Sequence, residues 1–344
     1  MTELVVLCVN AGSSTVKVAL FSVGPEPGDE RGLWSWSADG AGTDEALAAL
    51  RAADLPSPEA IGHRVVHGGA TYVTPVLVDD GLLDGLRSLV SLAPLHEPAA
   101  IAGIEATSAA FGSLPQVACF DTAFHHTIPE EAAHLALPEQ LWLDGVRRYG
   151  FHGLAYESVV AHLGADRLDR AVLAHLGNGA SLCAVRHGRS VDTTMGFTPT
   201  GGIVMGTRSG DLDPGVLVHL LAECGYDAAA LDDLVTRQSG LLGLSGASSD
   251  MRALLAARAA GDDRAAMAVR IFCRTIRKQV GAYAAVLGGL DTLVFTGGIG
   301  EHAAPVRDEI LTGLEYLGPI EVLVVTADED RMIARHTADL LRNR

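Results

Sequence analysis

At 344 residues the chain is longer than a usual single domain, and its 48% hydrophobic content is ample for two large cores. A net charge of −17 argues against nucleic acid or an acidic membrane surface as partner, yet leaves room for a small anion gathered by local arginines. The five cysteines, at positions 8, 119, 183, 224 and 273, form no Cys-x-x-Cys pair, which fits a reducing cytoplasm and supplies neither a disulfide framework nor a metal cage.

A strand pattern begins by Leu4 with no basic leader or cleavage site before it, and no apolar stretch is long enough to span a bilayer. The run Val5–Val9, the turn Asn10-Ala11-Gly12-Ser13-Ser14 and the run Val16–Phe21 predict two buried strands joined as a hairpin. Such a small-residue turn lets N–H groups and hydroxyls converge on an anion. Lys17 stands beside it with a compact charge for a phosphate oxygen. Residues 24–45, rich in Gly, Pro and acids, predict a loop or an edge hairpin. A short helix follows over Asp44–Ala53, then a strand running into a turn over Ala60–Gly69. Asp80–Ala93 predicts an amphipathic helix, and Ala99–Ala110 an Ala-rich one after His96-Glu97-Pro98. Gln116–Phe120 predicts a strand that delivers Asp121 at its carboxyl end, a common place for a functional carboxylate. Arg147–Gly153 is a polar, glycine-bounded loop near the predicted domain junction, ahead of a helix over Ala155–Leu163.

From Ala171 the opening pattern returns: a run ending in His175-Leu176, the turn Gly177-Asn178-Gly179-Ala180-Ser181, and a run over Leu182–Val185. Gly188–Thr194 predicts a third strand. Gly196–Pro214 is a long irregular stretch inside a compact domain, which usually signals function. Residues 215–288 read as helical, with an amphipathic run over Arg264–Leu287. Thr292–Phe295 predicts a strand ending in the glycine turn Gly297-Gly298-Ile299-Gly300. A helix around Val306–Leu317, a strand over Glu321–Thr326 and a helix over Asp330–Leu341 close the chain.

Two anion-cradling hairpins in one chain suggest a polyphosphate held between two related halves. A strand after each glycine turn excludes a P-loop or a dinucleotide fingerprint, since both need a helix there. Gly297–Gly300 fits a phosphate-binding helix start, a surface for a flat ring, or a plain strand-to-helix turn. Of thirteen histidines, His152 stands out in its glycine-flanked loop beside Arg147-Arg148, whereas His125-His126 point apart on a regular element and make a poor metal pair. Arg64 and Arg208 also sit in glycine-flanked loops. For Arg208 a structural ion pair with Asp211 or Asp213 competes with a functional role, and Glu329, between Asp328 and Asp330, reads equally as a solvated acidic turn.

Taken together, the segments resemble the acetate kinase family over essentially the whole chain. The motifs are VNAGSSTVK (9–17), GHRVVHGG (62–69), FDTAFH (120–125), RRYGFHG (147–153), HLGNGASL (175–182), DTTMGFTP (192–199), MGTRSGDLDP (205–214), SSDMR (248–252) and GGIGE (297–301), in family order. The resemblance implies an α/β fold of duplicated ribonuclease-H-like domains, of the actin/Hsp70 type, with an interdomain cleft. It implies an N-terminal domain over 1–147, onto which the helix 330–344 packs back, and a nucleotide-binding domain over 148–329. It further implies a cytoplasmic homodimer, Mg²⁺ (or Mn²⁺), and reversible transfer between ATP and acetate to give acetyl phosphate and ADP. Carried over by motif, Asn10, Ser14 and Lys17 belong to the first phosphate turn, and Arg64 meets the acetate carboxylate or the transferring phosphoryl group. Asp121 is the active-site carboxylate, and His152 and Arg208 stabilise the transition state. His175, Leu176, Gly177, Asn178 and Gly179, with Gly297, Gly298, Ile299, Gly300 and Glu301, surround the nucleotide; Asp250, Met251 and Arg252 lie near adenosine. Asn10 and Glu329 flank the metal. Val66, Leu95, Phe151 and Pro199 line the acetate methyl pocket.

Some positions depart from the family pattern. The chain is shorter than typical members, with losses before Gly62 and between Gly318 and Glu321. The usual His-Asn-Pro is His96-Glu97-Pro98, the residue after GGIGE is His302, and Gly201 and Gly202 take bulk away near Pro199. These bear on acyl chain length and nucleotide preference, and a propionate or butyrate kinase remains the alternative. A non-catalytic nucleotide switch of the same superfamily leaves Arg64, His152 and Arg208 unexplained. The chemistry agrees: a carboxylate nucleophile is already ionised at pH 7, so the need is for arginines, histidine donors and Mg²⁺ around the phosphoryl oxygens rather than for a strong base.

Overall fold

The computed structural model describes residues 3–11, 15–40, 42–94 and 96–343. Its strands are β1 (Leu4–Ala11), β2 (Thr15–Val23), β3 (Glu30–Asp39), β4 (Ala60–Val65), β5 (Val76–Leu77), β6 (Gln116–Phe120), β7 (Ala171–Leu176), β8 (Ala180–Arg186), β9 (Arg189–Thr193), β10 (Thr292–Thr296) and β11 (Glu321–Val324). Its α-helices are α1 (Thr43–Ala52), α2 (Asp80–Leu89), α3 (Glu97–Phe111), α4 (Glu130–Ala133), α5 (Glu139–Leu143), α6 (Gly153–Leu163), α7 (Pro214–Glu223), α8 (Ala228–Asp233), α9 (Gly240–Ser245), α10 (Met251–Ala259), α11 (Asp263–Leu287), α12 (Gly297–His302), α13 (Ala304–Leu311) and α14 (Glu329–Arg342). The chain divides into two units: Met1–His126, Phe151–Ser158 and Asp328–Arg344 form one, Thr127–Gly150 and Val159–Ala327 the other.

In the first unit the strands run in the order β3-β2-β1-β4-β6-β5. β1 and β2 form the expected antiparallel hairpin, and β4 and β6 run parallel to β1. Alternation along β1 explains its unbroken apolar run, because both faces are covered. Val6 and Cys8 pack under Ile333, Ala334 and Ala338 of α14, while Leu7 and Val9 share the opposite core with Ala46, Leu47 and Leu50 of α1. At Gly62 any Cβ would strike Ile333 and Thr337, so glycine is what lets α14 lie down on β4. Of the loop or edge hairpin left open for residues 24–45, the structure has an edge strand, β3, paired antiparallel with β2.

The second unit repeats the scheme. Its order is β11-β10-β7-β8-β9, with β7–β8–β9 antiparallel and β10 and β11 parallel to β7. Matching β1-β2-β3-β4-β6 to β7-β8-β9-β10-β11 gives the same five-stranded core twice, the duplicated ribonuclease-H-like fold. The 25-residue α11 packs on β7 and β8, capped at its start by Asp262 and ended by left-handed Gly288.

Of the readings open for Gly297–Gly300, the structure shows a helix start, the opening of α12; two other local expectations are corrected. Gly297 has φ +77° and a Cβ there would meet the Leu176 backbone, so only glycine starts the helix against β7. The following helix ends at Leu311 instead of reaching Leu317. Glu329 is not in an acidic turn; Asp328 accepts from the Arg331 N–H and starts α14 one residue early, making Glu329 helical.

Candidate active site

In the first unit the parallel strands deliver polar groups at their carboxyl ends. β1 brings Asn10, β4 brings Arg64, β6 hands over to Asp121, and the first turn of α14 adds Glu329 and Asp330. The Arg64 guanidinium forks onto Asp121 Oδ2, Nε at 3.0 Å and Nη2 at 2.5 Å, and its Nη1 donates to Asn10 Oδ1 at 3.1 Å. Asn10 Nδ2 donates to Glu329 Oε2 at 3.0 Å and reaches Asp330 Oδ1 at 3.5 Å. A cation on one side and an anion on the other fix which way the amide faces. Arg64 Nε also lies 3.8 Å from Glu329 Oε2. Lys17 pairs with Asn10 across the hairpin and is exposed.

Asp121 is fully buried, and its Oδ1 has no hydrogen-bond partner among the described residues. Burial pushes its pKa up and the Arg64 charge opposes that. Asp330 rises to about 6 through burial and the neighbouring Glu329, against the pull of Lys17 and Asn10. Two cations, Arg64 and Lys17, therefore face three acids, Asp121, Glu329 and Asp330, which leaves this corner short of positive charge.

The turn after β4 forms an apolar neighbour to this cluster. Val66 and Phe151 are buried, and the His67 ring meets Phe151 edge-on at 5.4 Å. His125 Nε2 meets the Phe151 carbonyl at 2.9 Å. His152 holds φ +60°, an uncommon backbone for a non-glycine, and its carbonyl accepts from Tyr156 N–H in α6. Ser14 and Leu95 lie outside the described residues.

In the second unit His175, next to last in β7, lies opposite Ser181, and Thr296 of β10 pairs with it from the other side. The turn carbonyl of Asn178 accepts from Gly206 N–H at 3.0 Å, which draws the segment bearing Arg208 toward the Leu176-Gly177-Asn178-Gly179 turn. Gly297, first of Gly297-Gly298-Ile299-Gly300, approaches the Leu176 backbone, and its N–H donates to Glu301 Oε1 at 2.9 Å; Thr326 holds the other Glu301 oxygen. These three segments meet at one end of the second sheet. Asp250 caps α10 and bonds Arg252, while Met251 is buried.

Arg208 Nη1 donates to the Pro199 carbonyl at 3.0 Å, so the two are tied to each other. Asp211 accepts from Gly202 N–H and Asp213 from Gly215 N–H at the start of α7. Both acids that compete for Arg208 thus have backbone work of their own. Gly202 does not open space near Pro199, because a Cβ there would strike the Thr194 backbone at 2.7 Å; Gly201 likewise faces Asp211 at 3.2 Å.

A family model described as the acetokinase family matches residues 43–338. The chain belongs to the acetokinase family. An acetate kinase from Rhodopseudomonas palustris is 43% identical over 389 residues, covering 96% of this chain and 97% of the relative. Among solved structures, a propionate kinase from Francisella tularensis subsp. tularensis has a TM-score of 0.90 at 35% identity, over 98% of this chain and 100% of that one. Porphyromonas gingivalis acetate kinase has a TM-score of 0.84 at 33% identity, over 99% and 100%.

Two residues of this acetokinase were not singled out as site groups by their sequence setting. Asp330 reads as one more acid in a charged run, yet it leans on Asn10. Glu97 starts an Ala-rich helix and is wholly buried, its Oε1 accepting from His67 N–H at 2.6 Å. The one available signal was its departure from the usual Asn.

Proposed function

We propose that the protein transfers the γ-phosphoryl group of ATP reversibly to the carboxylate of acetate, giving acetyl phosphate and ADP. The observation that carries this is the Arg64–Asp121–Asn10–Glu329 cluster at the strand ends, in a chain of this family. Arg64 and Arg208 present planar forks to carboxylate and phosphoryl oxygens, and His152 adds a donor for charge that builds up on the equatorial oxygens. Lys17 and Ser14, the His175–Gly179 turn, Gly297–Glu301 and Asp250–Arg252 are assigned to the nucleotide. Val66 and Phe151, with Leu95 and Pro199, are assigned to the methyl group.

A divalent cation fits the first-unit cluster. Its donors are hard oxygens, and the Asp121 Oδ1 orphan is a buried lone pair in search of a positive partner. Mg²⁺ is typically held by one or two carboxylates, with water and phosphate oxygens completing the shell. Asn10 and Glu329 would hold it, with Asp121 orienting its water; bound there, Mg²⁺ would neutralise charge on the transferring phosphoryl group. Arg64 holds Asp121 in place through its fork and opposes the rise that burial gives the Asp121 pKa.

The methyl pocket favours acetate, with propionate next. The likeness to a propionate kinase supports propionate as the competing acceptor. One methylene in an apolar pocket is worth only ~1–3 kcal/mol, so discrimination is graded. A hydroxamate assay with ATP across acetate, propionate and butyrate tests this: kcat/KM highest for acetate supports the assignment, and highest for butyrate overturns it. We further place the protein in the cytoplasm as a homodimer. Its unpaired cysteines suit a reducing compartment, and α7 exposes Val216, Val218 and Leu221 with no buried residue of its own.

A further inference from the structure

We infer that Glu97 is a positioning residue that sets the acyl pocket, by holding the turn that carries Val66 and His67. This rests on the acyl-phosphate reading above. The turn leaves β4 at Val65 and is pinned at three points. Glu97 Oε1 accepts from His67 N–H at 2.6 Å, Thr122 Oγ1 accepts from Gly68 N–H at 3.0 Å, and His67 Nδ1 accepts from Gly69 N–H at 2.9 Å. The Glu97 bond is the one nearest Val66. It holds the backbone of His67, whose ring meets Phe151 edge-on and ties the turn to the second apolar wall. Glu97 itself is rigid, as the first residue of the 15-residue α3 with Pro98 behind it. It touches none of the cluster formed by Asn10, Arg64 and Asp121 through a hydrogen bond among the described residues, so its contact with the pocket is made through the turn.

The second oxygen shows how the carboxyl is built in. Oε2 is buried and has no hydrogen-bond partner among the described residues. An ionised carboxylate with one bond at such a place is unfavourable, and burial pushes the pKa up to about 8, with Asp121 adding to the rise and the His67 N–H and Arg64 opposing it. Burial therefore favours the neutral acid at pH 7, and Oε1 accepts the His67 N–H. Arg64 on β4 and Asp121 after β6 are the charges that act on it; His67 and His96 are the nearby titratable rings. The charged groups of α1 and α2, which pack on α3 (Asp44, Glu45, Arg51, Asp80, Asp84 and Arg87), are exposed. Ionisation above pH 8 strengthens the His67 N–H bond but adds a buried negative charge that Asp121 feels, which works against an acetate anion in the pocket.

Glu97→Gln keeps an oxygen for the His67 N–H and removes the titration; Glu97→Ala removes the acceptor and leaves a buried N–H unpaired. We expect KM for acetate in the parent to rise between pH 7 and 9, and Glu97→Gln to flatten that rise. Glu97→Ala should raise KM for acetate about tenfold and compress the acetate-over-propionate ratio, with kcat within about threefold, since one orphaned buried donor is worth ~1–3 kcal/mol. If Glu97→Ala does not fold, the Glu97→Gln profile still decides. A Glu97→Gln profile that rises like the parent's, or a Glu97→Ala enzyme with an unaltered acyl ratio, overturns the inference. A parent protein that makes no acyl phosphate from any acid overturns the activity instead, and is distinguished because no variant is needed to see it.

Discussion

The bond between Arg64 and Asp121 can be broken from one side or removed from both, and the two operations should give opposite results. The Arg64 side chain is 15% exposed and that of Asp121 1%, so the pair is largely withdrawn from water. Arg64→Leu strands the Asp121 carboxylate, which already has one unpaired oxygen, and removes the charge nearest Glu329. Breaking one side of a buried pair costs about 3–5 kcal/mol. In a unit of roughly 150 residues each kcal/mol lowers Tm by about 2–4 °C, so a drop of roughly 6–20 °C is expected. The double variant Arg64→Leu/Asp121→Leu replaces both charges with apolar volume and should recover most of that loss. The pH dependence follows from the sign of the shift. Without Arg64 the Asp121 pKa rises further above its unfolded value, so stability is lost as pH rises and the deficit of Arg64→Leu is greater at pH 8 than at pH 5. Thermal unfolding followed by circular dichroism at both pH values measures this. Both variants should lose activity, which separates the fold from the chemistry. An Arg64→Leu protein melting within about 2 °C of the parent at pH 8, no more than ~1 kcal/mol, would refute the view that Asp121 is a buried anion dependent on Arg64.

Arg208→Ala should lower kcat by roughly 10²-fold or more, as expected for one preorganised donor, with little change in Tm; early melting with turnover retained per folded molecule would assign it to structure. Glu329→Ala should raise the Mg²⁺ concentration for half-maximal rate by about tenfold or more at constant ionic strength. Asp328→Ala should leave that value alone and cost about 1 kcal/mol of stability, because Asp328 caps α14; equal effects at both positions would remove Glu329 from the metal site. His63, buried and bonded to Gln116 at 2.6 Å, is lowered by burial from 6.5 to about 4. A lowered histidine contributes stability that is present above pH 6.5 and lost as pH falls through 4, roughly 3 kcal/mol in all; His63→Gln should flatten the acid limb of a Tm-against-pH curve over that range.

The duplicated fold was legible because each core strand of the two hairpins is covered on both faces. That turns β1 and β7 into unbroken apolar runs that no amphipathic helix imitates, and their repetition at positions 5–21 and 171–185 exposes the two-fold scheme. β6 was legible for the same reason, and it located Asp121. The remaining features depend on tertiary contact. Gly297 opens a helix because of what it meets across the sheet, the Leu176 backbone, and nothing local distinguishes it from a turn glycine. Glu97 and Asp330 are acids in polar surroundings along the chain, and only folding buries the first and leans the second on Asn10. β5 has two residues, too few to show a period.

The central claim is that the γ-phosphoryl group of ATP passes to an acetate oxygen. Following ATP and acetate by ³¹P NMR in the presence of Mg²⁺ and the protein reads this directly. The account predicts acetyl phosphate and ADP accumulating in equal amounts until the reverse reaction balances them. Appearance of AMP and pyrophosphate, or of ADP and inorganic phosphate without acetyl phosphate, would contradict it.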